Sequence, residues 1–116
     1  MYLVYGTIAA TCTLNDLTAL LSKHGLQFAL RESSHYPSGR YLRLLASAVH
    51  LTIERIAENE CLLRADAESL DETSAILKEL SVAFAALRIP HRLELYGDDD
   101  ELVESFSCEN SPSGWK

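Results

Sequence analysis

Four histidines, His24, His35, His50 and His91, and three cysteines, Cys12, Cys61 and Cys108, are the side chains best suited to acid–base, nucleophilic or metal chemistry near neutral pH. Their spacing forms no HxH, HExxH or CxxC set. His24 falls in the last turn of a predicted helix, where a cation suits the carbonyl end. His35 stands beside Tyr36 in a predicted loop. His50 and His91 lie at or near strand starts, from which they could approach one another across a sheet. Cys12 precedes a helix N-terminus, a position that can activate a thiol, although burial as a small hydrophobe is the simpler role. A general base or a nucleophile needs a partner group held beside it. No neighbour in the sequence supplies one, so no catalytic residue is assigned.

The densest charge is Asp98-Asp99-Asp100-Glu101, which follows the alternating stretch His91–Tyr96. Hard cations take oxygen ligands, but this run lacks the interleaved spacing and the later glutamate of an EF-hand loop. No metal is assigned. A carboxylate run in a turn suits encounter with a basic protein surface. Glu94 and Tyr96 precede it on one face of the alternating stretch. The loop 34–40, with His35 and Tyr36, combines an aromatic anchor with an adaptable turn. The expected partner-binding residues are therefore Asp98, Asp99, Asp100, Glu101, Glu94, Tyr96, His35 and Tyr36. The chain has no GxGxxG and no GxxxxGK[ST], so no cofactor is expected.

The balance of 17 acidic against 10 basic residues gives a formal charge of -7, which a phosphate backbone repels unless the basic groups cluster. The arginines are scattered along the chain, so a nucleic-acid partner is disfavoured and a basic protein partner fits better. At 116 residues one domain spanning 1–116 is expected, long enough to bury a core without a metal or disulfide. An odd number of cysteines without a CxxC pair points to the reducing cytoplasm. The start, Met1-Tyr2-Leu3-Val4-Tyr5, does not read as a signal peptide. No apolar run approaches membrane-spanning length.

These residues must be positioned by elements that the pattern predicts. Residues 2–10 read as a central strand that Gly6 either weakens or opens to a close neighbour. Thr13-Leu14-Asn15-Asp16 resembles a capping box before a helix over 14–24, with Gly25 closing it. Residues 26–32 alternate as a strand. Residues 41–56 admit two readings, a single helix over 42–56 or the first strands of a meander. The strands are preferred, because a helix would leave Leu44 and Leu51 on its polar flank. Glu58-Asn59-Glu60 then turns the chain into a strand over 61–66. Ser69-Leu70-Asp71-Glu72 caps a helix over 70–88, which Pro90 stops. A final hairpin joins 91–96 to 102–106, and 109–116 reads as a flexible tail. The predicted core is Leu17, Leu20, Leu21, Phe28, Leu30, Ile53, Ile76, Leu77, Leu80, Phe84, Leu93 and Leu95.

The order β-α-β-β-β-β-α-β-β predicts an α+β, two-layer sandwich of ferredoxin-like, split βαβ type. Two helices cover one face of a mainly antiparallel sheet with extra strands. The other face is expected to carry Arg31, Arg43, Thr52, Glu54, Arg64, Arg92, Glu94 and Tyr96, a mixed surface that can be solvated, dimerise or bind a ligand. That architecture hosts many activities and does not choose among them. Size, acidity and the lack of a catalytic signature resemble bacterial immunity proteins, which bind and neutralise a nuclease toxin. The resemblance is one of composition, so no residue is carried over. It implies a non-catalytic, acidic, cytoplasmic protein-binding domain, an inhibitor of a basic nuclease toxin. Two other classes stay open: a small ligand-binding or regulatory ferredoxin-like module, and a small dimeric enzyme using His35, His50 or His91. A homodimer through the sheet or an edge strand is compatible with any of them.

Overall fold

The computed structural model describes residues 1–34, 39–45 and 47–108. In chain order its elements are β1 (Tyr2–Ile8), α1 (Leu14–Ser22), β2 (Phe28–Glu32), β3 (Arg40–Leu44) and β4 (His50–Ala57), then β5 (Glu60–Ala67), α2 (Leu70–Ala86), β6 (His91–Tyr96) and β7 (Leu102–Cys108). The fold is α+β. All strands join one seven-stranded sheet in the order β2-β3-β4-β5-β1-β6-β7, and every pairing is antiparallel. β5 and β6 flank β1 and are linked through α2, so they run parallel to each other. Three strands lie between β1 and β2, the two strands that α1 connects. Among the described residues no helix is long and apolar enough to cross a membrane. The expected tail, 109–116, lies outside the described residues.

Both helices begin as their caps predict. Thr13 Oγ1 accepts the Asp16 amide at 3.0 Å, and Ser69 Oγ accepts the Glu72 amide at 3.2 Å. α1 ends two residues before the expected His24. The chain closes there through Leu26 N–H to the Leu21 carbonyl at 3.1 Å and Gly25 N–H to the Ser22 carbonyl at 3.0 Å. Gly25 sits at φ +81°, which costs glycine little. α2 closes in the same manner, with Ile89 N–H reaching the Phe84 carbonyl at 2.8 Å. Arg88 takes the left-handed position there at φ 59°.

The ambiguous stretch 41–56 forms strands. Leu42 pairs with Ile53, and both Leu44 and Leu51 are buried. A helix would have exposed those two leucines. Burial of these two leucines on the sheet bears out the preferred strand reading over the helical one.

One sheet face carries Val4, Ile8, Leu42, Leu51, Ile53, Leu63, Leu93 and Leu95, all buried, against Leu17, Leu21, Leu77, Leu80 and Phe84 of the helices. α1 lies over β2 and β3, and α2 over β6 and β7. Of the expected core, Leu20 and Ile76 are half-buried. Leu30 is a correction: it is 37% exposed. It stands on edge strand β2 and opens onto a hollow of about 210 Å³ shared with Leu14, Arg40 and Arg55.

Gly6 is the point of closest approach inside β1. A Cβ there would lie 2.5 Å from Leu93 Cδ2 and 3.0 Å from the Arg92 carbonyl oxygen. Gly6→Ala should therefore destabilise the domain, by about 1–3 kcal/mol for an overpacked core site. Urea unfolding measures this. A Gly6→Ala variant as stable as the parent would show that the Leu93 side chain yields the space at no cost.

Arg55 ties together two loops that leave the central strands β1, β4 and β5. Its guanidinium donates to the carbonyls of Ala10 at 3.0 Å, Ala57 at 3.2 Å and Glu58 at 2.9 Å, and also to that of Cys12. The β1–α1 connection is thus clamped to the β4–β5 hairpin. Charge-assisted bonds to carbonyls are among the stronger hydrogen bonds.

Candidate functional site

Among the described residues the helices cover one sheet face and no element covers the other, the bare face. Its residues follow from cross-strand register. Ala29, Arg43, Thr52, Arg64, Tyr5, Glu94 and Ser105 form one row across all seven strands. The row above it contains His50, Asp66, Leu3 and Tyr96. The row below contains Glu54, Leu62, Thr7 and Arg92. Charge divides along the middle row. Arg43 and Arg64 stand on the β3–β5 side, and Glu94 on the β6 side.

Several side chains on this face are already engaged. The Tyr5 and Tyr96 rings meet edge to face, 6.2 Å apart and inclined at 61°. Tyr5 remains 48% exposed. The Tyr96 hydroxyl donates to Glu94 Oε1 at 3.1 Å. That bond raises the Tyr96 pKa above its ordinary value, since ionisation would forfeit it and set two negative charges together. Arg92 Nε lies 3.7 Å from Glu94 Oε2. Arg64 lies 3.6 Å from Glu54 Oε1. Glu54 is only 5% exposed. Its Oε2 has no hydrogen-bond partner among the described residues. A buried carboxylate oxygen left unbonded costs stability, which calls for a compensating role.

The carboxylate run occupies the β6–β7 turn. Asp100 N–H bonds to the Gly97 carbonyl at 3.1 Å, and Gly97 N–H to the Glu101 carbonyl at 2.9 Å. Asp100 takes φ 58°, a conformation that aspartate tolerates better than most residues. Asp98, Asp99, Asp100 and Glu101 are all exposed. Asp98 pairs with the Met1 amine. Asp100 lines a shallow hollow of about 360 Å³ with Leu3, Tyr5 and Tyr96. The fold therefore brings the turn, Glu94 and Tyr96 to one corner of the bare face. His35 and Tyr36 lie outside the described residues.

Among the described histidines, His50 and His91 do not converge. His50 is exposed on the bare face. His91 is 4% exposed under α2, on the opposite face. The expected approach of these two across the sheet is thus corrected: odd and even strand positions send them to different sides. His91 Nδ1 donates to the Ile89 carbonyl at 3.0 Å. Its Nε2 then accepts the Ser81 hydroxyl at 2.7 Å. Both nitrogens are used within the core, and the ring packs against Phe84 at 5.3 Å. No group of three or more His, Cys, Asp or Glu side chains that could hold a metal forms among the described residues.

Cys61 is fully buried, and Cys12 is half-buried against the core. Burial pushes the Cys61 thiol up from its ordinary value of 9.0, and Arg55 opposes that shift. A folded pKa above the unfolded one favours the native state. That contribution is complete below pH 9.0 and is lost as pH rises through the raised folded value. Alkylation at pH about 8 should accordingly modify Cys61 orders of magnitude more slowly in the folded chain than in denaturant. Peptide mapping reads this, and equal rates in the two states would refute the burial.

The sequence pattern places the acidic turn and sets Arg43, Thr52, Glu54, Arg64, Arg92, Glu94 and Tyr96 on one uncovered sheet face, as the register shows. It does not show which of them adjoin, nor that Tyr5 stands among them, because that depends on which strands pair. No protein-family model matches the chain, and no curated protein matches it in sequence.

Proposed function

We propose that this chain is a non-catalytic, acidic protein-binding domain of the cytoplasm, taking a basic partner at the β6–β7 corner. Within that class the reading is an immunity-type inhibitor of a basic nuclease toxin. The observation that carries it is the exposed run Asp98, Asp99, Asp100 and Glu101 at the head of an edge strand. Leu102 and Val103, exposed by 51% and 41%, continue directly from the run. An edge strand offers unpaired N–H and C=O groups to an extended segment. Lysines or arginines on such a segment would meet the carboxylates, while its apolar residues would cover Leu102 and Val103. Glu94 and Tyr96 border the same corner.

We further infer that β1, α1, β4, β5, α2 and β6 constitute a ferredoxin-like unit. On this reading β2 and β3 are inserted after α1, and β7 is appended to the edge. The support is the placement of β5 and β6 on either side of β1 with α2 between them.

The test is affinity capture on the immobilised chain from lysate of the source cell, at low and moderate salt, read by mass spectrometry. Salt-sensitive recovery of a basic nuclease or toxin supports the proposal. A co-purified metabolite without any captured protein overturns it. So does a turnover that is lost when His50 is replaced by Ala in a chain that still folds.

A further inference from the structure

The bare face carries a second pattern, which shares Glu94 with the acidic corner and otherwise lies across the strands beside it. We propose that a second copy of this chain docks on it face to face, about a dyad running along the strands between β1 and β5. That axis reverses the strand order, so β5 of one copy lies over β1 of the other and β4 lies over β6. Residues keep their row. In the middle row, Arg64 then stacks on Tyr5 of the second copy, as a guanidinium does on an aromatic ring. Glu94 of the second copy falls over Thr52, between Arg43 and Arg64. In the lower row, Arg92 of the second copy falls over Glu54.

Three observations favour this occupant. The first is charge complementarity within one face. The basic side of one copy meets Glu94 of the other, and the pairing repeats symmetrically, as an isologous contact requires. A dyad across the strands would instead place Arg43 on Arg43 and Glu94 on Glu94. The second observation is the lower row, where the dyad sets the exposed Arg92 side chain of one copy above the buried carboxylate side chain of Glu54 in the other, again opposite in charge. The third is area. The six strands that this dyad overlays, spaced about 4.8 Å apart and each about 20 Å long, give roughly 600 Å² of projected face. That approaches the roughly 800 Å² per partner of a standard interface. Stacked sheets lie about 10 Å apart, a gap that arginine and glutamate span together. The proposal does not rest on the basic-partner reading, which uses the turn and the β7 edge.

Sedimentation of the full chain tests it. The parent should be a dimer whose dissociation constant rises about tenfold or more between roughly 0.05 M and 1 M salt. Glu94→Arg and Arg43→Glu should each yield monomers, because each places like charges at both symmetry-related contacts. Their equimolar mixture should recover the dimer, since the heterodimer restores one opposite pair at each contact. Circular dichroism checks that both variants fold. If a reversal unfolds the chain, Arg43→Gln takes its place and must weaken the dimer at low salt. A parent that is monomeric at both salt concentrations overturns the proposal. A dimer indifferent to salt and to both substitutions does so too, as does a mixture of folded variants that stays monomeric.

Discussion

Leu80→Ala should lower the unfolding free energy by about 2–5 kcal/mol, the range for truncating a fully buried leucine. Leu80 has no exposed surface and belongs to the same cluster as Leu77, Phe84, Leu93 and Leu95. The loss has two parts. Removed carbons no longer leave water on folding, and the cavity left behind closes only partly, since helix and sheet backbones both resist moving. Denaturant unfolding with an unchanged m-value reports the effect as stability alone. A loss below about 1 kcal/mol would mean that α2 does not press this side chain into the sheet.

Neutralising the acidic corner should act on association rather than on folding. Replacing Asp98, Asp99 and Asp100 by Asn, and Glu101 by Gln, should slow association with the captured basic partner by about tenfold at low salt. It should also flatten the dependence of that rate on ionic strength. The side chains are exposed, so the turn bonds from the Gly97 and Asp100 amides stay in place. Stopped-flow mixing at two ionic strengths separates the effect from a change in dissociation rate. Rates and salt slopes equal to the parent's would remove this turn from the interface.

The carboxylate run could be read without the fold because it is contiguous and polar, and a turn between two alternating stretches exposes it wherever they lie. The His91 role could not. Its strand position was evident, yet its use depends on Ser81, ten residues earlier, one helix away and on the opposite side of a turn. Glu54 likewise looked like one more surface acid on an alternating strand. Only its neighbours bury it.

Local chemistry therefore settled what is local. Thr13 and Ser69 cap their helices because hydroxyl and amide lie three residues apart. Leu93 and Leu95 part from Arg92, Glu94 and Tyr96 because a strand alternates. Period alone left 41–56 open, since helical and extended spacing both fitted; contact with the sheet closed it. Tertiary structure also decided the strand order, and with it the row Arg43-Thr52-Arg64-Tyr5-Glu94. The physical reason is that alternation says which residues share a face of one strand, whereas pairing between distant strands says which of them become neighbours.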